Sequence, residues 1–310
     1  MDSFENKPFY HIDDVLKSKI DAILIRNGVE KGNPQYNAVE TILKNQIVTF
    51  TEENHTYQDK NGELYNSVTT IIKGVLDEQD PDYLKYKINR DWGTQLDYIA
   101  EQILLGLEID KSKVKDLPDN IINDFINQFD GFIAGITMEG GIVLPQIVLN
   151  SEEDKVAGKP DYLIISKSGA IQVLDLKVSK NSAFSNSHEN TTYSTKLVDE
   201  NNNPIRLSTR GQHTVQVTSY AKMIENYGLP VEKMRTLHFK ADVKDSLNDK
   251  KEVVKQELLS ISREGVIDHN KVEYIDERVL AEKVVQTIQT EQAEDDTVKR
   301  EQRKVESGRN

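Results

Sequence analysis

Cysteine is absent from the 310 residues of this chain, which excludes disulfide bridges and thiolate metal sites. Long apolar runs are also missing, since none approaches the roughly 20 residues of a membrane span, and the first residues lack the basic and apolar regions of a secretory signal. Basic residues are outnumbered, 39 against 52 acidic ones, and the resulting net charge of −13 argues against a general nucleic-acid coat protein. There is no internal repeat, Walker-type phosphate loop or helicase motif. We therefore expect a cytoplasmic protein that makes no membrane contact and does not itself drive ATP-dependent unwinding.

The segment from Gly158 to Lys180 has the pattern of a β-hairpin. Two runs rich in apolar and β-branched residues, 161–166 and 170–178, are typical of strands. The three residues 167–169 connect them, and Gly169 can take the left-handed conformation that such connections usually need. We predict a hairpin here.

The length of this turn decides which side chains face each other. If Ser166 pairs with Ala170, Asp161 stands opposite Asp175, whereas a turn of two or four residues would put the two carboxylates on opposite faces. Asp175 and Lys177 share a face because strand side chains alternate. Opposed residues have Cβ atoms about 4.5–5.5 Å apart, and like charges at that distance destabilise a sheet unless something neutralises them. A divalent cation would do so.

Two carboxylates and a lysine at one point of a sheet suit metal-assisted hydrolysis of phosphodiester bonds. Oxygen ligands from Asp161, Asp175 and the backbone carbonyl of Leu176 suit Mg²⁺, which usually takes one or two protein carboxylates and keeps several waters. The cation would lower the pKa of one water, and Lys177 would orient that water or stabilise charge in the transition state. The alternative is a surface strand with an alternating charged face, since the Asp-x-Lys triplet also occurs at 249–251, outside any apolar strand.

Asp161, followed after a short hairpin by Asp175-Leu176-Lys177, resembles the core motif of the PD-(D/E)XK nuclease superfamily. Downstream, Gln216 and Tyr220 are similar to the Gln-x-x-x-Tyr motif of the RecB-like branch, which includes bacterial and phage exonucleases. Residues four apart share a helix face, so these two side chains can meet one group together. The resemblance covers roughly residues 45–240.

Weaker matches to phage members of this branch lie upstream. His55-Thr-Tyr57, Gly62 and Ser67–Ile72 resemble a hairpin followed by the start of a helix, and the Asn61-Gly62 pair is itself a strong hairpin signal. Trp92-Gly93-Thr94 and the helical run Leu96–Leu105 resemble the next helix.

The resemblance implies an α/β fold with a restriction-endonuclease-like core, in which helices flank a central mixed sheet. We expect this core at residues 45–243, a helical extension at 1–44 and a helical, charge-rich tail at 244–310. Within the core, residues 236–243 are predicted to add a last strand, and 121–136 a helix whose aromatic residues belong to the core.

The resemblance also implies an activity and a set of roles. The protein would be a Mg²⁺-dependent deoxyribonuclease, with Mn²⁺ as a possible substitute, most similar to phage exonucleases used in recombination or DNA processing. Asp161 and Asp175 would bind the metal, Lys177 would assist the water, and Gln216 and Tyr220 would position DNA or the lysine. Its setting would be a bacterial cell, a phage-infected cell or a virion.

Two positions depart from the family pattern. Members usually carry a histidine on the early helix, where Asp97 stands, and an acidic residue on the strand before the first aspartate, where this chain has Gln146. Gln146 can bind metal through its carbonyl but adds no charge, so the site would hold metal more weakly. Asp97 would compensate, or the missing charge would come from one of the acidic residues Glu139, Glu152 and Glu153. The departures leave open a catalytically weakened module that binds DNA or protein in a phage particle or replication complex.

Basic residues outnumber acidic ones between Lys177 and Lys222, against the balance of the whole chain. We predict a positive groove that accepts DNA, with phosphate contacts from Lys180, Arg206 and Arg210. The alternative is a solvated loop, because residues 181–203 are rich in Asn, Ser and Thr and look like a long flexible insertion.

A third possibility makes the end of the chain its working part. From about Val272 the sequence reads as a helix that becomes charge-rich after residue 291. Its apolar part could dock a protein partner. In that case deletion after Asp268 would abolish function and Lys177→Ala would not.

Overall fold

A computed structural model of the chain describes residues 14–51, 56–75, 83–180, 192–198, 204–247 and 253–269. Six α-helices lie in this part of the chain: α1 Asp14–Arg26, α2 Pro34–Asn45, α3 Val68–Val75, α4 Tyr83–Leu105, α5 Asp119–Met138 and α6 Thr209–Asn226. A short 3₁₀ helix spans Lys111–Val114. None of the helices in these ranges has the length and hydropathy needed to cross a membrane.

The strands form two mixed sheets and a separate ribbon. They are β1 Val48–Thr51, β2 Thr56–Asp59, β3 Leu64–Ser67, β4 Ile142–Pro145, β5 Leu149–Ser151, β6 Val156–Gly158, β7 Tyr162–Ile165, β8 Ile171–Ser179, β9 Thr192–Val198, β10 Pro204–Ser208, β11 Val231–Leu247 and β12 Val253–Asp268. The main sheet has the order β12-β11-β8-β7-β4, with β8 and β11 parallel and the other neighbours antiparallel. The second sheet has the order β1-β2-β3-β6-β5, and β9 pairs only with β10 among the described strands. The fold is therefore mixed α/β, as predicted.

The β7–β8 hairpin has the predicted register. Tyr162 pairs with Leu174 and Ile165 with Ile171. The backbone N–H of Ser166 donates to the carbonyl of Ala170 at 2.9 Å, and Gly169 adopts a φ of +84° in the turn. Continued by one residue, this register places Asp161 opposite Asp175.

The main sheet is covered by helices on both faces. Alternate residues of β7 and β8 pack into two different cores: Leu163 and Val173 lie with the apolar residues of α1, α2 and α6, while Ile164 and Leu174 lie with those of α4 and α5. Asp161, Asp175 and Lys177 belong by alternation to the α6 face. Helix α6 is thus the element that can place side chains against the two aspartates.

The N-terminal helices are tied to this sheet by polar contacts as well as apolar ones. Asn33 caps α2 through its side chain, and the amide of Gln35 donates to the backbone carbonyls of Gly140 and Ile165 at 2.9 and 3.0 Å. Ile20 and Ile23 of α1 are fully buried. The described part of residues 1–44 thus contains the helices α1 and α2, while the division of the chain at residue 44 stays a prediction.

The prediction of a helical tail from residue 244 is wrong for residues 244–268. These residues complete β11 and form β12, with Lys244 paired to Glu257 and Asp242 to Ser260. Ile261 is buried against the α5 core. The strand predicted at 236–243 is confirmed as part of β11. It is not the last strand, because residues 253–268 pair along its edge as β12. Residues 270–310, including the proposed docking helix, lie outside the described ranges.

The predicted long insertion at 181–203 contains a strand. Residues 192–198 form β9, which pairs antiparallel with β10. Thr192, Tyr193 and Val198 are residue types that favour extended backbone, and β10 supplies the partner that a strand needs. Residues 181–191 and 199–203 lie outside the described ranges, as does His55.

Candidate active site

Asp161 directly precedes β7, and Asp175 lies opposite it on β8, which is longer than β7 and extends past it. Asp175 is 1% exposed. The carboxylate of Asp161 accepts a hydrogen bond from the backbone N–H of Leu176 at 2.6 Å. Since the N–H and C=O of a strand residue point to the same edge, the Leu176 carbonyl faces the Asp161 side too. Two carboxylates and one backbone oxygen are thereby directed to one place.

Lys177 and Gln216 complete this cluster. The Lys177 ammonium lies 2.5 Å from the Asp175 carboxylate and donates to the Gln216 side-chain oxygen at 3.1 Å. The Gln216 amide nitrogen lies 3.4 Å from Asp175 and 3.3 Å from the Tyr220 hydroxyl. Helix α6, capped by Ser208, presents residues 216 and 220 on one face as the spacing of four predicts.

The charge state of Lys177 follows from its neighbours. Burial lowers the pKa of the Lys177 ammonium, but the Asp175 and Asp161 carboxylates outweigh this effect, and the net shift is upward. Lys177 is therefore a cation at neutral pH. It can stabilise negative charge, and it is not a general base in this state.

Asp97 brings a third carboxylate to the site. Burial, and next the charge of Asp175, raise the pKa of Asp97 to about 7. Burial, Asp175 and Asp97 together raise the pKa of Asp161 well above its usual range. The charge of Asp175 thus opposes the ionisation of both Asp97 and Asp161, and a hard cation bound at Asp161 and Asp175 would reduce that repulsion.

The residues present fit a divalent cation with few protein ligands. Among the described residues there is no group of three or more His, Cys, Asp or Glu side chains placed to hold a metal ion. Asp161, Asp175 and the Leu176 carbonyl instead provide two carboxylates and one neutral oxygen. Mg²⁺ usually takes only one or two protein carboxylates, so this set suits it. Asp97 adds charge near this set.

Gln146 lies at the same site in an unusual backbone conformation. The strand predicted to carry Gln146 ends one residue before it, at Pro145 of β4, and Gln146 itself has a φ of +50°. Its backbone N–H donates to the carbonyl of Asp161 at 2.9 Å, and its side-chain oxygen accepts from Lys159 at 3.0 Å. Its role as a metal ligand stays a prediction. The acidic alternatives are all exposed and do not line the cavity described below: Glu139, Glu152 and Glu153.

A cavity of about 1030 Å³ opens onto these residues. Its walls include residues from four regions of the chain: Phe50, Tyr57, Asp97, Tyr98, Gln146, Lys159, Asp161, Gln216 and Tyr220. Tyr220 packs so closely on Gly158 that a Cβ atom there would lie 2.4 Å from the tyrosine ring. The sequence motifs do not include Lys159, although its position two residues before Asp161 is a signal for a residue of the site.

The structure bears differently on the three residues predicted to contact DNA phosphates, which are Lys180, Arg206 and Arg210. Arg210 is 1% exposed, so the prediction that it meets phosphate at the surface is wrong. The residue sits in the first turn of α6, where its charge acts on buried His269. Lys180 is partly exposed and forms a 2.6 Å ion pair with Asp245. Its role, and that of Arg206, whose side chain is not among those described, stay predictions.

A buried polar cluster lies behind the site, on α6 and β11. His269 is hydrogen-bonded through its two ring nitrogens to Thr214 at 2.8 Å and to Thr236 at 3.2 Å. His238 reaches Thr236 at 3.0 Å. Burial, and next the charge of Arg210, lower the pKa of His269 to about 4.

The His269 shift predicts acid sensitivity. The folded protein keeps this ring neutral, while the unfolded chain takes up a proton near pH 6.5. The stability that His269 contributes is thus complete above pH 6.5 and is lost as the pH falls towards 4, by up to about 3 kcal/mol. Urea unfolding of the wild type and His269→Gln from pH 7 to 4 should show the wild type's advantage shrinking by that amount. An advantage that does not change with pH would contradict this.

Comparisons with known proteins give little beyond the geometry. No family profile matches the chain, and no curated protein matches it. Among solved structures, the crystal structure of a protein named "Putative exonuclease" from Eubacterium rectale is similar with a TM-score of 0.36 and 16% sequence identity, covering 77% of this chain and 85% of that chain. A similarity of this size defines no family. The fold and the site define a mixed α/β protein in which a buried aspartate, Asp175, lies beside the half-buried residues Asp161 and Lys177.

Proposed function

We propose that the protein is a metal-dependent deoxyribonuclease of the PD-(D/E)XK type. The observation that carries the proposal is the cluster in which Asp161 stands opposite Asp175 while Lys177 contacts Asp175 and Gln216. A surface strand with a charged face would not bury Asp175 or surround Lys177 with contacts from a helix. The RecB-like motif further supports an exonuclease of phage or bacterial DNA recombination or processing.

The chain would hold Mg²⁺ with Asp161, Asp175 and the Leu176 carbonyl. A bound Mg²⁺ would polarise the phosphodiester and lower the pKa of a water bound to it. The remaining steps belong to side chains. Lys177, held as a cation, stabilises the charge that develops on the phosphate, and Gln216 fixes the lysine by accepting from it while Tyr220 holds Gln216.

Mg²⁺ binding should release protons. At pH 6.5 the Asp97 carboxyl, with a pKa of about 7, is largely protonated, and a nearby cation favours its ionised form. Calorimetric titrations with Mg²⁺ in two buffers of different ionisation enthalpy measure this release. We expect net release at pH 6.5 that is smaller at pH 8 and reduced in Asp97→Asn. The matched control is Asp91→Asn, which changes an exposed carboxylate on the same helix. Equal enthalpies in both buffers at pH 6.5 would refute the prediction.

The activity is tested by incubating the protein with end-labelled linear DNA and closed circular DNA in Mg²⁺, Mn²⁺ or EDTA. The proposal predicts metal-dependent loss of linear DNA, with circular DNA spared by an exonuclease and cut by an endonuclease. Asp161→Asn prepared in parallel measures contaminating nucleases. Equal cleavage by the wild type and this variant, or none by either, would overturn the proposal.

The second candidate is a weakened module that binds DNA without cutting it. Gln146 favours this candidate, because it brings no charge to a position where PD-(D/E)XK nucleases usually have an acidic residue. In addition, its side-chain oxygen accepts a hydrogen bond from Lys159. Retention of labelled DNA without cleavage in either metal is the result this candidate predicts.

A further inference from the structure

The polar cluster behind the proposed active site consists of four side chains that are all 0% exposed: Thr214 of α6, Thr236 and His238 of β11, and His269, which directly follows β12. Thr236 pairs in register with Asp175 of β8, and His238 pairs with Lys177. Residues paired in this way direct their side chains to the same face of a sheet. The cluster is therefore the direct neighbour of the aspartate and the lysine on which the proposed reaction depends.

The hydrogen bonds of the cluster run in one direction. The Thr214 hydroxyl donates to the backbone carbonyl of Arg210 at 3.0 Å, so it accepts from the Nδ1–H of His269 at 2.8 Å. The lowered pKa of His269 keeps the ring neutral, and its bare Nε2 accepts from the Thr236 hydroxyl at 3.2 Å. Thr236 in turn accepts from the Nε2–H of His238 at 3.0 Å. One tautomer of each histidine thus satisfies the whole chain of bonds.

His269 links helix α6 to the main sheet. Its ring contacts Thr214 on the helix and Thr236 on the strand, and its backbone N–H donates to the carbonyl of Met234 at 2.8 Å. Apolar residues such as Val215 also pack α6 on the sheet, but apolar contact is non-directional. Hydrogen bonds have preferred angles as well as distances, so they hold the helix at one position along and around its axis.

The position of α6 matters because Gln216 comes two residues after Thr214. Gln216 accepts from the Lys177 ammonium at 3.1 Å, and its amide nitrogen lies 3.4 Å from the Asp175 carboxylate. The second distance is already long for a hydrogen bond, so a small displacement of the helix would break this contact. Burying polar groups costs free energy that apolar residues would not cost. Fixing Gln216 gives the cluster a function that offsets this cost.

We propose that His269 is a positioning residue of the proposed active site. By bridging two threonines it fixes α6 at the place where Gln216 meets Lys177. The proposal rests on the proposed function, since it concerns DNA cleavage at the same site. It also gives a reason for a histidine at this position: a neutral imidazole carries one donor and one acceptor nitrogen on a rigid ring, and it can bridge hydroxyl groups on two different elements.

The test is the steady-state rate of cleavage of end-labelled DNA in Mg²⁺. Thr214→Val keeps the shape of the side chain and removes its hydroxyl. It should lower kcat about tenfold, short of the roughly 10²-fold that a displacement of about 1 Å can cost. KM should stay near the wild-type value, because Asp161 and Asp175 keep their places. Thr214→Ser, which retains the hydroxyl, should recover most of the lost rate.

The matched control is Thr218→Val, which removes a buried hydroxyl one turn further along α6. This hydroxyl has no hydrogen-bond partner within the described part of the chain, so the variant should cleave at the wild-type rate. His269→Leu removes both contacts of the ring and should lower kcat as Thr214→Val does. Melting temperatures establish which variants are folded.

A double-mutant cycle separates positioning from a general loss of stability. If the cluster acts through Gln216, adding Thr214→Val to Gln216→Ala should lower the rate no further. A merely structural role would lower the rate by the same factor in both backgrounds.

Lysine-selective heteronuclear NMR gives a readout that needs no cleavage. The signal of the Lys177 ammonium is identified by its loss in Lys177→Met. We expect this signal to shift in Thr214→Val, because Gln216 moves relative to the ammonium, and to stay in place in Thr218→Val.

The proposal is overturned if folded Thr214→Val cleaves DNA at the rate of Thr218→Val, or if its effect multiplies with that of Gln216→Ala. Failure of the proposed function looks different. A wild type that cleaves nothing with Mg²⁺ or Mn²⁺, but whose Lys177 signal shifts in Thr214→Val alone, would overturn the nuclease and leave the positioning role of His269 standing. An unmoved signal in such a protein would overturn both.

Discussion

Lys177→Met is expected to lower the rate of DNA cleavage by a factor of about 10²–10³, the usual effect of removing one group that stabilises a transition-state charge. The ammonium that contacts Asp175 and Gln216 disappears, while methionine retains the apolar stem of the side chain. Initial rates on end-labelled DNA in Mg²⁺ measure the effect. Because Lys177 acts as a cation, we expect Lys177→Arg to recover part of the activity.

The control for this prediction is Lys240→Met, which changes an exposed lysine on the adjacent strand β11. It should cleave DNA at the wild-type rate. Melting temperatures of both variants in Mg²⁺ separate a catalytic effect from unfolding. A folded Lys177→Met protein with the rate of Lys240→Met would remove Lys177 from the mechanism.

Phe125→Ala should lower the free energy of unfolding by about 3–5 kcal/mol, the cost of deleting a buried aromatic ring. Phe125 is fully buried on α5, with ring centroids 5.6 Å from Phe129 and 4.9 Å from Phe239. The cavity left behind would lie between the helix and the main sheet. Urea unfolding followed by circular dichroism measures the change.

Met138→Ala serves as the comparison because Met138, at the end of the same helix, is 82% exposed. We expect less than about 0.5 kcal/mol from it, as for most surface substitutions. Equal losses in the two variants would mean that α5 does not pack on the sheet as described.

The centre of the site could be predicted because its geometry is local. A three-residue turn sets the register of β7 and β8, and the register sets which carboxylates face each other. The spacing of Gln216 and Tyr220 likewise needs only a helix. The turn does not determine where α6 lies relative to Asp175, because that position depends on packing across the whole face of the sheet.

The sequence-based predictions are wrong where the structure depends on contacts between segments that are far apart in the chain. Residues 253–268 are a strand because β11 presents an unpaired edge, which the sequence of that segment does not reveal. The charge of Arg210 predicts a phosphate contact, whereas its position in the first turn of α6 buries the side chain. The sequence alone does not bring Lys159 together with Gln146 and Phe50, because these two residues reach it from other segments of the chain.

Asp161 and Asp175 should form a cation site, and binding of Mn²⁺ followed by electron paramagnetic resonance tests this without any assumption about the substrate. We expect the wild type to bind Mn²⁺, Mg²⁺ to compete for the same site, and Asp175→Asn to lose the binding, while Asp91→Asn retains it. Unchanged Mn²⁺ binding in a folded Asp175→Asn protein, or none in the wild type, would contradict the account.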